Sequence, residues 1–202
     1  MDSPPNGLPP PASGFWPQHR RTVAIFAGLL AATAMIELWI GRTFLGPDGR
    51  FALWEGDIWS SANSQRFADP YSFSHLGHGI LFFGALSLVA RRVPLGSRLL
   101  LAVLLEAGWE LLENSPFIIN RYRAATIALG YEGDSVLNSL SDILMMSAGF
   151  LFVSRVRIRL SVAALVAMEI GCALAVRDNL TLNVIMLIHP VEAIKQWQMA
   201  GL

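Results

Sequence analysis

The chain has 202 residues, of which 53% are hydrophobic and only 15% are charged. An average soluble domain carries about 25% charged residues, so this composition argues against a soluble enzyme and indicates a membrane protein with several spans. The 15 basic and 15 acidic residues cancel, which leaves no net field to attract nucleic acid. A Walker A loop and a dinucleotide fingerprint are also absent from the sequence, so we expect no nucleotide partner.

The N-terminal 21 residues are rich in proline, glycine and serine, and we expect residues 1–21 to form a disordered cytoplasmic tail. The apolar run that follows, residues 22–40, is longer than the roughly 7 to 15 residues of a signal-peptide core. No A-x-A cleavage site follows it. The run therefore predicts an uncleaved first span, and residues 22–202 are predicted to form a single transmembrane helical domain.

Four further segments approach the length of about 20 residues that a helix needs to cross the hydrocarbon core. They are residues 72–90, 98–116, 134–153 and 159–176. A last apolar piece, residues 180–188, is too short to cross and stops before Pro190, which predicts a re-entrant or interfacial segment followed by a short interfacial helix. The predicted fold class is all-α, a polytopic membrane bundle of about five transmembrane helices.

Arginines cluster in three short connections of this bundle. They are Arg20 and Arg21 before the first span, Arg91, Arg92 and Arg98 between the second and third, and Arg155, Arg157 and Arg159 between the fourth and fifth. The positive-inside rule then places the N-terminus in the cytoplasm and, after five crossings, the C-terminus outside. The longer connections, residues 41–71 and 117–133, are predicted to face the exterior.

Three carboxylates lie on one face of the third predicted span. Glu106, Glu110 and Glu113 fall within about 60° of arc on a helix. Three carboxylates this close cannot all ionise without a counter-charge, so proton sharing, an arginine or a metal must intervene. The alternative interpretation is a structural network in which these side chains tie helices together with Arg121 or Arg123 as partners.

A second polar stripe enters the fourth predicted span. Ser135, Asn138, Ser139 and Asp142 fall within about 100° of arc. Asp134 is explained by capping the helix, but Asp142 lies two turns deeper, where capping is geometrically impossible. A hard divalent cation would accept this mixture of carboxylate, amide and imidazole ligands, whereas zinc more often selects histidine or cysteine.

The second predicted span begins with His75 and His78, whose i, i+3 spacing lets both rings face one site as metal ligands or proton carriers. A purely structural pair is the alternative. In the predicted orientation, these histidines lie at the same outer side as Glu113, Asn114 and Asp142. The sequence therefore predicts one polar cavity at the outer leaflet.

Each cavity residue is given a predicted role. Glu110, Glu113 and Asp142 would bind a metal or exchange protons, with His75 as a further metal ligand, and His75 or His78 would act as acid or base. Five residues are predicted to bind substrate: Asn114, Asn138, Arg123, Arg177 and Asn179. The cofactor is left open, with a divalent cation as the candidate, and the expected partner is membrane lipid or a lipid-linked envelope substrate.

Three long stretches of the chain carry a resemblance to a known family. These stretches are SSANSQRFADPYSFSHLGHGILFFG, EAGWELLENSPFIINRYRAATIALGYEGDSVLNSLSD and RDNLTLNVIMLIHP. Over about residues 40–200 the chain resembles an uncharacterised family of bacterial inner-membrane proteins. The resemblance implies a multi-pass protein of the bacterial cell inner membrane and supplies no activity. A fainter similarity to VanZ-like membrane proteins rests on the order E-x-x-E-N, outer loop, G-D-S-x-x-N-S-x-x-D. It is matched here by Glu110, Glu113, Asn114, Gly133, Asp134, Asn138 and Asp142.

Two other functions remain open on the sequence. A proton-coupled transporter would use the deeper acids Glu37, Glu106 and Glu169 as a proton path. The lack of an internal repeat counts against it, although a homodimer could supply the second half. A non-catalytic assembly factor would instead have its polar cavity filled by internal salt bridges.

Overall fold

The computed structural model describes residues 15–128 and 130–200, with side chains from residue 20 onward. Within these ranges the protein is entirely helical, which confirms the predicted all-α fold class. The helices are α1 (Phe15–Trp39), α2 (Ser72–Val89), α3 (Leu95–Glu113), α4 (Pro116–Ala125), α5 (Val136–Val153), α6 (Ile158–Val176), α7 (Leu180–Ile188) and α8 (Glu192–Met199). Four of them, α1, α2, α5 and α6, are long and apolar enough to cross a membrane.

All five predicted spans are helices, but two differ from the prediction in detail. The third, α3, has 19 residues and contains four ionisable side chains, so it is not among the four helices that are apolar enough to cross. The first, α1, begins at Phe15 rather than at residue 22. Part of the predicted tail is therefore helical, and residues 1–14 of that tail lie outside the described residues.

Helix α4 lies in a connection for which the sequence predicted no helix. Its start is well specified: Pro116 occupies the first turn, and the Ser115 hydroxyl accepts a hydrogen bond from the Ile118 N–H at 3.4 Å. The short segment 180–188 and the C-terminal tail form α7 and α8, as the apolar spacing indicated.

The closest helix packing is between α2 and α5, where glycines allow the backbones to meet. A Cβ atom on Gly79 would lie 2.0 Å from the Met146 carbonyl oxygen, and one on Gly149 would lie 2.2 Å from the Leu76 carbonyl oxygen. Small residues permit such close approach in membrane bundles. The apolar core continues from α5 onto α3 and consists of Ala102, Val103, Ala107, Ile143, Met146 and Phe150.

The loop that joins α1 to α2 caps the first turn of α5 with its backbone. The N–H groups of Val136 and Leu137 donate to the carbonyl oxygens of Thr43 and Phe44, both at 3.0 Å, and the N–H of the preceding residue donates to the carbonyl of Ser64 at 3.0 Å. These bonds satisfy donors that a helix start otherwise leaves unpaired. The loop is thereby held across the end of the bundle at which α5 begins.

A bidentate ion pair fixes the loop internally. The two terminal nitrogens of Arg66 lie 3.0 Å and 2.6 Å from the two carboxylate oxygens of Asp48. Hydrogen bonding to this guanidinium lowers the pKa of Asp48 below its ordinary value.

Candidate functional site

A cavity of about 1030 Å³ lies between the helices and the α1–α2 loop. Its walls include His75 and His78 from α2, Glu113 from α3, and Asn138 and Asp142 from α5. The helices that carry these residues meet because α2 and α5 pack at their glycines and α3 packs on α5. Five of the side chains that the sequence assigned to one cavity therefore line it, whereas Glu110 and Asn114 are not among the described lining residues.

The imidazole of His75 lies at the centre of a cluster of carboxylates. Its Nδ1 atom is 2.6 Å from Glu106 Oε1 and 3.4 Å from Glu110 Oε1, and its Nε2 atom is 3.8 Å from Asp142 Oδ2. The Ser72 hydroxyl donates to the other oxygen of Asp142 at 3.0 Å. The structure thus brings together His75, Glu110 and Asp142, three of the four predicted metal ligands, around one ring.

His78 contacts the same cluster through Glu106. Its Nδ1 atom is 3.0 Å and 3.1 Å from the two carboxylate oxygens of Glu106, and its ring stacks on Phe82 at a centroid distance of 5.7 Å. Glu106 is therefore shared by both histidines. The sequence placed it on the same face of α3 as Glu110 and Glu113, but gave it a role of its own only in the deeper proton path.

Glu110 is a buried acid whose oxygens accept no hydrogen bond from the part of the chain that the structure describes. Its exposed fraction is 0%, and the contact to His75 falls outside hydrogen-bond geometry. Single ligand atoms of His75, Glu110 and Glu113 lie within 4.8 Å of one another, and the same holds for His75, His78 and Glu106. Both groups combine carboxylate with imidazole, ligands that divalent cations accept.

The carboxylates around His75 form no ion pair with arginine or lysine in the part of the chain that the structure describes. The arginines that the sequence offered as partners point elsewhere. Arg121 Nε donates to the Leu187 carbonyl at 2.8 Å, and Arg123 Nε donates to the Tyr131 carbonyl. The two histidines are therefore the basic side chains that contact the cluster among the described residues.

Asn114 connects three helices instead of facing the cavity. Its amide nitrogen donates to Glu37 Oε1 at 3.3 Å and to the Ser139 hydroxyl at 3.1 Å, while its oxygen accepts from the Asp134 N–H at 2.7 Å. The side chain is buried, and its hydrogen bonds are structural. The predicted substrate contact at Asn114 would have to displace these bonds.

All three tyrosines of the chain line the cavity, a feature that the sequence did not indicate. The Tyr131 hydroxyl donates to Asp134 at 2.9 Å, and the Tyr71 hydroxyl donates to Asp178 at 3.3 Å. Burial raises the pKa of Asp134 and of Asp178 to about 6 in each case. With Tyr122, these hydroxyl groups form a polar rim above the histidines.

Besides Asn114, three more of the residues predicted to bind substrate do not line the cavity. Arg177 donates to the Trp197 carbonyl at 2.9 Å and lies over the Trp197 ring at 5.7 Å. The Asn179 side chain caps α7 by accepting from the Leu182 N–H at 2.8 Å. Arg123 is exposed beside the loop that follows α4. These contacts depend on the tertiary fold, which side-chain chemistry alone does not specify.

The acids of the proposed proton path contact different parts of the structure. Glu169 accepts from the N–H groups of Leu180 and Thr181 at 3.1 Å and 3.0 Å, so it caps the start of α7. Glu37 is bonded to the α3 end, and Glu106 is bonded to the histidines. The three side chains are therefore not linked into one hydrogen-bonded path.

The fold and the site define a class: a helical membrane bundle that encloses a buried cluster of histidine and carboxylate side chains. The chain belongs to the family described as "Protein of unknown function (DUF2585)", whose model matches residues 37–200. This confirms the family resemblance that the sequence predicted.

Similar proteins come from several bacteria. A UPF0314 protein of Rhizobium etli is 54% identical over 170 residues, which cover 84% of this chain and 87% of that protein. One from Sphingopyxis alaskensis is 49% identical over 88% of this chain and 94% of its own length. One from Novosphingobium aromaticivorans is 48% identical over 92% and 96%. No solved structure matches the chain.

Proposed function

We propose that this protein crosses the bacterial inner membrane several times, binds a divalent cation in its cavity, and acts on a lipid-linked or cell-envelope substrate. The arginine clusters in the short connections support an N-terminus in the cytoplasm and a C-terminus in the periplasm. In that orientation the start of α2, the end of α3 and the start of α5 lie at the outer leaflet, where the cavity would open to envelope substrates.

The observation that carries the proposal is the burial of the Glu110 carboxylate without hydrogen bonds to the described residues. A buried carboxylate without hydrogen bonds costs several kcal/mol if ionised, and a bound cation offsets that cost. One ligand atom each of His75 and Glu113 lies within 4.8 Å of the other and of Glu110, which is close enough for the three side chains to share one ion. Asp142, on the opposite side of the His75 ring, adds negative charge that further favours a cation.

The donor set suits a hard ion better than zinc. One imidazole and two carboxylates supply mainly oxygen ligands, and the cavity leaves room for water or substrate to complete the coordination. Such ligands are typical of Mg²⁺, Ca²⁺ and Mn²⁺. A cation held there would polarise a substrate oxygen or activate a water molecule.

In the proposed reaction His78 would transfer a proton, and Glu106 would orient its ring. Both oxygens of Glu106 lie within hydrogen-bond distance of His78 Nδ1, and His78 lines the cavity. A carboxylate in this position holds the imidazole in one orientation and leaves Nε2 as the ring atom that can accept a proton, as a general base must. Hydrolysis or group transfer on a polar headgroup is the reaction class that these parts support.

A non-catalytic assembly factor fits the structure less well. That function predicts a cavity filled by internal salt bridges, whereas Glu106, Glu113 and Asp142 line an open volume of about 1030 Å³. Histidines are the only basic side chains that contact the carboxylates around His75 among the described residues. The arrangement supports a cation as a further partner of Glu110, beside His75.

Cation binding is the direct test. The protein is purified in detergent with a chelator, the chelator is removed, and Mn²⁺ is titrated with detection by electron paramagnetic resonance. We expect one bound ion per chain and a loss of affinity of at least about tenfold in Glu110→Gln, because losing even an indirect partner of a metal costs about 10-fold to 100-fold. The matched control is Glu192→Gln, at an exposed site on α8.

Two results would contradict the proposal. The first is a wild-type protein that binds no Mn²⁺, Mg²⁺, Ca²⁺ or Zn²⁺ at millimolar concentration. The second is equal affinity in the wild type and the Glu110→Gln variant.

A further inference from the structure

The cavity opens sideways through the helical wall. Leu105 on α3 and Val184 on α7 line it, yet their exposed fractions are 54% and 43%. A side chain that lines a cavity and also faces outward marks an opening; Trp59, 43% exposed, marks another opening on the loop side, and the sideways one is called the mouth below. Helix α4 packs against both α3 and α7 at the outer end, so the mouth lies below α4. Leu105 is about 12 Å along α3 from Glu113, at a depth where the surroundings are hydrocarbon.

The walls change from polar to apolar between the loop and this mouth. On the loop side the lining residues are Ser60, Ser61, Asn63, Ser64 and Gln65. On the mouth side they are Phe82, Leu105, Leu180, Val184 and Leu187. A cavity with one polar end and one apolar end matches a ligand that has a polar headgroup and a hydrocarbon chain.

The headgroup is identified by Arg42. It is the one arginine or lysine among the described lining residues, and its Nε and Nη1 atoms donate to the carbonyls of Asp134 at 2.9 Å and Glu132 at 2.6 Å. It forms no ion pair with a carboxylate in the described ranges, so its charge is held in place without being neutralised. Arginine held in this way recognises phosphate.

We propose that the ligand is an anionic lipid that carries a phosphate, and that it reaches the cavity from the bilayer between Leu105 and Val184. Its chain lies against Phe82, and its phosphate lies between Arg42 and the cation site. The role of the cation rests on the proposed function, whereas the lateral route does not. Without a cation, the carboxylates of the cavity would repel the phosphate.

The test uses radiolabelled dioleoyl phosphatidic acid as the probe and the full chain in detergent. Tryptophan at the mouth, in Leu105→Trp or Val184→Trp, should reduce bound lipid about tenfold by filling the route. Leu112→Trp is the matched control, because Leu112 is 46% exposed on the same helix but does not line the cavity. Glycerol 3-phosphate, which carries the same phosphate without chains, is added as a competitor.

The outcomes separate the two proposals. Unchanged lipid binding in both mouth variants would overturn the lateral route, and so would competition by glycerol 3-phosphate at concentrations equal to the lipid. If a mouth variant does not fold, cross-linking replaces it as the test. The photoreactive residue p-benzoylphenylalanine should cross-link to the lipid from position 105 but not from position 112. Equal cross-linking from the two positions would also overturn the lateral route. If the wild type binds no Mn²⁺ but lipid binding still falls in Leu105→Trp, the cation proposal fails and the route stands.

Discussion

Replacing Gly79 by alanine should force α2 and α5 apart. The new Cβ atom would lie 2.0 Å from the Met146 carbonyl oxygen and 2.6 Å from the Phe150 backbone nitrogen. Cβ atoms in proteins stay at least 3.0 Å from such neighbours, so the helices must separate by about 1 Å. Overpacking of this kind costs about 1–3 kcal/mol.

The same displacement would reach the site. His75 lies one turn before Gly79, on the same face of α2, and its Nε2 atom is already 3.8 Å from Asp142 on α5. A shift of about 1 Å would lengthen this distance to about 5 Å and weaken the attraction between the two groups. Loss of stability and loss of Mn²⁺ affinity are therefore expected together.

Thermal unfolding in detergent, followed by circular dichroism, measures the stability. We expect the midpoint of Gly79→Ala to fall by about 2–12 °C, the range that 1–3 kcal/mol produces in a chain of this length. Gly84→Ala is the matched control on the same helix, because a Cβ there meets nothing within 4 Å. Equal midpoints for the two variants would refute the packing argument.

Substitutions at two further residues test a buried acid and a helix cap. Burial raises the pKa of Asp178 to about 6 from 3.8, so the folded state favours the protonated acid, and stability should fall as pH rises from about 4 to about 6. Asp178→Asn should flatten this part of a plot of unfolding midpoint against pH, and an unchanged slope would contradict the assignment. Glu169→Ala leaves the N–H groups of Leu180 and Thr181 without their acceptor and should cost about 1–2 kcal/mol in denaturant unfolding. Glu169→Gln keeps an acceptor oxygen and should cost less; equal losses would argue against capping.

Hydrophobic run length was sufficient to locate the long helices, because burial in lipid or protein requires continuous apolar sequence. It missed α4, a 10-residue helix whose sequence PFIINRYRAA is too polar to register as a span. The Ser115-Pro116 start was the available signal. Run length also could not separate α3 from the apolar spans, since its four ionisable residues are interleaved with leucines.

Helical periodicity predicted which faces of α2, α3 and α5 carry the histidines and the acids. The site forms where these faces meet. Periodicity does not specify the contact partner of a long arginine side chain. Arg177 was therefore predicted to bind substrate, although its guanidinium lies over the Trp197 ring. It also gave no reason to include Tyr71 or Tyr131, which arrive from the connections. Partner choice between distant segments is set by the tertiary fold.

The loop between α1 and α2 is anchored to α5 through its own carbonyl groups at Thr43, Phe44 and Ser64. Hydrogen bonds to backbone carbonyls do not depend on which side chains the loop residues carry. Substitutions along this loop can therefore alter the wall of the cavity while α5 keeps its capped start. In evolutionary terms, the lining of the cavity can diverge among relatives without any change in the scaffold that holds the histidines and carboxylates.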